Sequence, residues 1–174
     1  MTSKPPAPPP GLRIERFDKS RHRRDLFDCG VPALNAFLRT KLNQHARRDL
    51  TVGYVLAAPD GRITGYFTLS AGRLSVSITP QGQGYPARLP LPTTLLGRLA
   101  VDRDFRGRGL GELLLVEALR IAVRMSELVA SAAIEVDAKD PEAQRFYAKY
   151  GFKGLADDEL HMYLPMTAAR ALIG

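Results

Sequence analysis

A single cysteine, Cys29, stands among the 174 residues. One thiol cannot close an internal disulfide, and such sparing use fits a reducing, cytoplasmic setting. No apolar run approaches the eighteen or so residues of a membrane span, so no membrane partner is expected. The first ten residues lack the apolar centre of a secretory leader and are half proline. They read as a disordered tail ahead of one domain over residues 11–174. That length is enough to bury a core without metal or disulfide staples. His22, His45 and His161 are scattered, and no His/Cys/Asp spacing marks a metal site. None of the three is a compelling general base, and each reads more simply as a surface or capping residue. Cys29 has no evident His or Asp partner in the sequence, so a small structural hydrophobe is the plainer reading than a nucleophile. There is no internal repeat.

Acidic residues are also in deficit, leaving a formal net charge of +7. That balance favours a polyanionic partner. Between residues 11 and 50, ten Lys/Arg face five Asp/Glu, so +5 of the charge falls in that quarter of the chain. A solvated basic surface would look the same, and charge alone does not choose.

Leu12-Arg13-Ile14-Glu15-Arg16-Phe17 alternates apolar and charged residues, as a half-buried strand does. After Asp28-Cys29-Gly30-Val31-Pro32, the residues Leu34, Phe37, Leu38 and Leu42 recur at helical spacing, predicting a helix from Ala33 towards Arg47. Residues 51–58 and 62–70 flank Pro59-Asp60-Gly61 as a hairpin, with strand character continuing through Leu74 and Val76. Residues 79–93 hold four prolines and two glycines and predict an irregular loop of functional length. A strand follows at 94–101, then a largely apolar helix at 110–125 and a strand at 132–136. Asp140-Pro141 opens another helix, which Gly151 ends, and a last pair of strands follows Phe152. A hairpin combined with a β–α–β crossover gives an α/β class with a mixed sheet.

The centre of interest is Leu99-Ala100-Val101, an apolar strand end, followed after Asp102-Arg103-Asp104-Phe105 by Arg106-Gly107-Arg108-Gly109-Leu110-Gly111. A helix opening at such a turn presents unpaired N–H groups and a partial positive charge, an anion site to which a pyrophosphate is suited. The turn is not a P-loop, since no Gly-Lys-Ser/Thr follows, and its glycines fall at every second residue rather than as Gly-x-Gly-x-x-Gly.

Arg106-x-x-Gly109-x-Gly111, after a strand and opening a helix, resembles the acetyl-coenzyme A signature of the GNAT superfamily of N-acetyltransferases. Phe146-Tyr147-Ala148-Lys149-Tyr150-Gly151-Phe152 is similar to that family's late helix with its Tyr-x-x-x-Gly-Phe ending. A narrower likeness lies in Phe27-Asp28-Cys29-Gly30, Leu34-Asn35-Ala36-Phe37-Leu38 and Leu95-Leu96-Gly97-Arg98-Leu99-Ala100-Val101-Asp102. Together these resemble the GNAT toxins of bacterial type II toxin–antitoxin pairs, the TacT/AtaT type, over about residues 12–166. The resemblance implies a GNAT fold, a single mixed, mostly antiparallel twisted sheet flanked by helices.

It also implies an enzyme that moves acetyl from acetyl-CoA to the amino group of aminoacyl-tRNA and so inhibits translation. Leu99, Ala100 and Val101 would face the pantetheine arm and thioester. Arg106, Gly107, Arg108, Gly109, Leu110 and Gly111 would cradle the pyrophosphate. Tyr147 would be catalytic, its hydroxyl protonating the departing thiolate. The same tyrosine shares a helix face with Ala143, Phe146 and Tyr150, the spacing of an ordinary core aromatic. For an α-amine of pKa about 7.7–8.0, lowered further by the adjacent ester, loss of a proton to water suffices without a general base. Arg21, Arg23, Arg24, Arg39, Lys41, Arg47 and Arg48 become candidate tRNA contacts through phosphate and shape. Few aromatics lie among them, which disfavours base-stacking capture of a single strand. A ribbon-helix-helix antitoxin, operator DNA bound as a repressor complex with it, and a homodimer are the implied partners. A GNAT enzyme of a small amine or protein N-terminus, and a non-catalytic acetyl-CoA- or RNA-binding module, are the competing readings.

Overall fold

The computed structural model describes residues 6–79, 84–86 and 89–174. Alternation of apolar and charged residues makes β1 (Arg13–Arg16), which pairs antiparallel with β2 (Val52–Ala57). The 59–61 turn returns the chain antiparallel into β3 (Ile63–Leu74). β3 stops at Leu74 rather than Val76. There the backbone tightens into a 3-10 turn at Val76–Ile78, and both the amide (3.1 Å) and the hydroxyl (2.7 Å) of Thr79 donate to the Val76 carbonyl.

β4 (Leu91–Val101) begins three residues before the expected Thr94. Leu91 and Thr93 alternate into the interior, Thr93 opposite Ala133, while the exposed Pro92 offers its carbonyl to the Ala132 amide at 2.7 Å. Residues 80–83 and 87–88 of the expected irregular loop lie outside the described residues, as do residues 1–5 of the proline-rich tail. With β5 (Ala133–Asp137), β6 (Lys153–Gly154) and β7 (His161–Pro165), the sheet has seven strands in the order β1-β2-β3-β4-β5-β7-β6. β4 and β5 run parallel, and the β1–β2, β2–β3, β5–β7 and β6–β7 pairs run antiparallel, the mixed α/β sheet expected.

The chain divides into two compact units, Met1–Ser70 with Gly97–Ala118, and Ala71–Leu96 with Leu119–Gly174. In the first, the predicted helix forms with Pro32 in its first turn but is not regular. α1 (Pro32–Ala36) passes through a π-helical turn (Phe37–Lys41) into α2 (Leu42–Arg47). The Thr40 hydroxyl donates back to the Ala36 carbonyl at 2.7 Å in that turn. Phe37, Leu38 and Leu42 bury themselves against Phe27, Cys29, Val55, Ile63, Tyr66 and Ala100. Truncating one such leucine costs about 2–5 kcal/mol. α3 (Leu110–Ser126) starts here, with Leu113, Leu114 and Leu115 buried as its apolar composition requires.

In the second unit, Leu74, Leu91, Ala133, Leu155 and Tyr163 form the core. α4 (Pro141–Ala148) is capped as predicted, the Asp140 carboxylate accepting from the Ala143 amide at 2.8 Å. A terminal helix that the sequence reading lacked, α5 (Met166–Ile173), buries Met166 and Ala169.

The second unit also holds a buried polar knot. Glu135 accepts from the Thr93 hydroxyl at 2.6 Å and contacts His161 Nε2 at 2.8 Å, while His161 Nδ1 meets Asp157 at 3.1 Å. Gly72 makes room for it, since a Cβ there would fall 2.2 Å from Glu135 Oε1. An imidazole with a carboxylate on each nitrogen needs both protons to satisfy them. Burial works against the charged ring, but the hydrogen bonds from Glu135 and Asp157 outweigh it and raise the His161 pKa. A raised folded-state pKa contributes stability that is complete below the unfolded value of about 6.5 and is lost as pH climbs through the folded one. The urea midpoint is therefore expected to fall as pH rises above about 6.5, and His161→Gln is expected to flatten that fall. A midpoint equally steep in the variant would place the titration elsewhere.

Candidate active site

In the first unit β4 leads straight into the anion turn. Among the described residues its ladder with β5 ends at Leu96↔Val136, and β4 continues five residues further to Val101. On its β5 side the backbone of residues 99–101 thus has no ladder partner among the described strands. The carboxylate of Asp102 then terminates the strand. Buried to 1% exposure, it accepts the amides of Asp104 at 2.9 Å and Asp28 at 3.1 Å, and it starts a 3-10 turn at Arg103–Phe105.

Gly107 and Gly109 follow with φ of +75° and +74°, the left-handed region that side-chain-bearing residues avoid. A Cβ at either would meet nothing within 4 Å. Open space thus lies beside a backbone whose φ is positive at both glycines, a conformation of the kind from which anion-binding nests are built. The first helical bond of α3 runs from the Leu113 amide to Gly109 O at 3.1 Å, so the amides before it are free of helical partners. Leu110 contributes its amide alone, its side chain being 2% exposed.

The two arginines of the turn differ. Arg106 is exposed along its stem, yet its guanidinium donates to the carbonyl of Cys29. Arg108 lies 5.0 Å over the Phe105 ring. Arg106 therefore splints the turn to the 27–30 loop, where the sequence reading gave it only charge. Asp28 completes the splint. Its carboxylate accepts from the Gly30 amide (2.8 Å), Asn35 Nδ2 (2.9 Å) and Arg103, and its carbonyl accepts the Arg103 amide at 2.9 Å. Asp28 and Asp102 were missed as positioning residues because partners 74 positions apart leave no local pattern; Asn35, whose partners Asp28 and Cys29 are seven and six positions away, was missed as well. Cys29 is 4% exposed with its thiol towards the Val31 carbonyl, the structural role expected.

The basic residues gather on two concave surfaces of the first unit that share Lys19. Arg16, Lys19, Arg21 and Arg47 line one, and Lys19, Arg23, Arg24 and Arg39 the other. Lys41 and Arg48 line neither. Arg21 is paired to Glu15 at 2.9 Å, and Arg39 donates to the Phe27 carbonyl, so part of this charge is spent within the fold. His22 is structural. Its Nδ1 accepts the Asp18 amide at 2.9 Å, which leaves the proton on Nε2 for Glu15 at 2.9 Å.

In the second unit, Tyr147 lies on the buried side of α4. Its ring sits edge-on to Phe146 (5.2 Å) and Phe152 (5.5 Å) and is 8% exposed. Among the described residues the hydroxyl has no hydrogen-bond partner, yet it is not sealed from solvent as the Tyr163 hydroxyl is. Burial pushes the Tyr147 pKa upward, so the group keeps its proton at any working pH.

Residues 17–152 match the model of the Acetyltransferase (GNAT) family, well over half of the chain. The chain belongs to the GNAT acetyltransferase family. The GNAT enzymes it resembles include the tRNA-acetylating toxin of Mycobacterium tuberculosis (strain ATCC 25618 / H37Rv). The two are 36% identical over 149 residues, 85% of this chain and 89% of that protein. The toxin AtaT complexed with acetyl-methionyl-tRNAfMet superposes with a TM-score of 0.86 at 29% identity, covering 94% of this chain and 99% of that one. A tyrosine-to-phenylalanine mutant of AtaT, bound to the C-terminus of the antitoxin AtaR and to acetyl-CoA, gives 0.81 at 29% identity over 93% and 98%. Within this GNAT chain, no group of three or more His, Cys, Asp or Glu among the described residues could hold a metal. No helix among them is long and apolar enough to cross a membrane.

Proposed function

We propose that this GNAT protein is a cytoplasmic toxin that transfers acetyl from acetyl-CoA to the amino group of an aminoacyl-tRNA, and that residues 11–174 act as its one acetyltransferase domain. The observation that supports the acceptor best is the near full-length likeness to AtaT carrying acetyl-methionyl-tRNA. The chain's own chemistry agrees with the donor. The glycine turn at 106–111 offers a nest of amides that fits a pyrophosphate, and the free edge at 99–101 suits an amide-bearing arm.

Acetyl-CoA supplies an activated acyl carbon as a thioester. The acceptor amine attacks that carbon, the C–N bond forms and the C–S bond breaks. The amine's extra proton goes to water, and the Tyr147 hydroxyl donates a proton to the departing sulfur. A phenol held neutral by burial is a donor throughout the range in which the amine is a free base. A ribbon-helix-helix antitoxin, a repressor complex on operator DNA and a homodimer belong to the same reading.

Incubation with radiolabelled acetyl-CoA and charged tRNA tests it. Label is expected in a species that RNase destroys and that uncharged tRNA does not yield. Label confined to small amines or to protein would move the enzyme to the small-amine or protein N-terminus class.

A further inference from the structure

A cation of the first unit that belongs to neither the turn nor the basic clefts is Arg98. Arg98 lies on β4, one residue before the 99–101 edge. It is half-buried, and its guanidinium carbon sits 3.4 Å from the centroid of the Phe37 ring. Among the described residues no carboxylate lies within ion-pair distance of it, whereas Arg21, Arg23, Arg62 and Arg103 all have one. The nearby phenol of Tyr66 is engaged elsewhere, its hydroxyl donating to the Leu34 carbonyl at 2.7 Å. Burial pulls the Arg98 pKa below the ordinary arginine value, but the group stays a cation.

The platform beneath it is built in an unusual way. Phe37 opens the π-helical turn Phe37–Lys41, an irregularity that tends to occur at functional sites. The ring is fixed from its other neighbours by the edge of His45 at 5.2 Å and by full burial in the core. A partly dehydrated cation with no counter-ion, held flat on an immobilised ring, is costly unless an anion completes it. A stacked guanidinium still presents its N–H fork, whose geometry matches two phosphate oxygens.

We propose that Arg98, stacked on Phe37, binds the phosphodiester of the nucleotide that carries the acceptor amine. The proposal rests on the aminoacyl-tRNA reading. It adds that the enzyme holds its acceptor by the terminal phosphate as well as by the basic clefts. The pyrophosphate turn lies at the far end of the 99–101 edge, so the donor's pyrophosphate and the acceptor's phosphate occupy separate cations. A small amine or a protein N-terminus offers no such phosphate, which makes Arg98 a specificity residue.

The test is steady-state kinetics of wild type and R98M with charged tRNA and with a 3′-O-aminoacyl adenosine that has no phosphate. For R98M, the KM for charged tRNA is expected to rise about ten- to a hundredfold with the KM for acetyl-CoA unchanged. The slope of log KM against log salt should fall by about one. On the phosphate-free acceptor the two enzymes are expected to agree within about twofold. R98K is the second variant should R98M fold poorly. It keeps the charge and loses the fork, so its KM should rise less and its salt slope should hold. An unchanged KM and slope in an enzyme that does acetylate charged tRNA would overturn the proposal. So would an equal loss on both acceptors, which would assign Arg98 to the fold, or a raised KM for acetyl-CoA, which would assign it to the donor. Failure of the wild type to acetylate charged tRNA at all would instead defeat the functional reading, and is seen before any variant is made.

Discussion

Replacing Tyr147 with phenylalanine is expected to lower turnover about 10²- to 10⁴-fold, the range that general acid catalysis supplies, while acetyl-CoA binds as before. The structure makes this a clean substitution. The ring's partners, Phe146 and Phe152, touch its edge and face, and phenylalanine keeps both contacts. The hydroxyl that is lost has no hydrogen-bond partner among the described residues to be orphaned, so thermal stability should not move. A purely structural aromatic would therefore show nothing, and a proton donor would show a loss in kcat alone. Titration calorimetry with acetyl-CoA and initial rates with charged tRNA separate the two, and full turnover in the variant would remove Tyr147 from the chemistry. The pH profile offers a second check. Since the phenol's pKa is pushed up, the rate of the wild type should rise only through the pKa of the acceptor amine, near or below about 7.7–8.0, and then level off without an alkaline limb from tyrosine.

How much of this was legible beforehand divides along the range of the interactions. α4 could be read almost residue by residue, because Asp140, Pro141 and Gly151 act within one or two turns of themselves. β1 was legible from alternation, and the hairpin from two β-branched, apolar runs on either side of Pro59-Asp60-Gly61. The π-helical turn was not, since Phe37, Leu38 and Leu42 show the same apolar recurrence whether the helix is regular or slips once. β4 started earlier than read because prolines at 90 and 92 signal a loop locally, while burial of Leu91 and Thr93 decides otherwise. α5 escaped altogether, its Thr-Ala-Ala-Arg run being short and without a cap.

The site follows the same division. The glycine turn announced itself, as its requirement for positive φ is written in the residues that meet it. The splint that holds it did not. Arg106 looked like a ligand charge and is tied to the Cys29 carbonyl, and Asp28 and Asp102, given no role of their own in the sequence, are anchors. Arg98 illustrates the converse. Within Gly97-Arg98-Leu99 it is one more basic residue, and its close approach to the Phe37 ring, 3.4 Å from the centroid, is visible only in the fold. Partners far apart in sequence set these roles, and composition records neither.

The second large effect concerns that turn. Gly109→Ala is expected to raise the KM for acetyl-CoA about tenfold or more, with kcat at saturation near wild type. Two costs contribute. An alanine held at φ +74° carries roughly 1–2 kcal/mol of backbone strain, which the free protein can relieve by rotating the peptide and losing one amide from the nest. If it does not rotate, the new methyl stands in space that is open in the free chain and is the space the pyrophosphate needs. Both routes weaken donor binding, and a factor of ten corresponds to about 1.4 kcal/mol, within reach of either alone. Gly107→Ala, at φ +75° and equally open, should behave alike. Arg106→Met is the informative contrast. Its guanidinium grips the Cys29 carbonyl rather than standing free, so its loss should loosen the turn and lower the thermal midpoint together with affinity. A glycine variant that lost stability but kept its KM would show that the turn is shaped for the fold and that the pyrophosphate is held elsewhere. A KM that rises at constant thermal midpoint would instead tie the open space above these two residues to the donor.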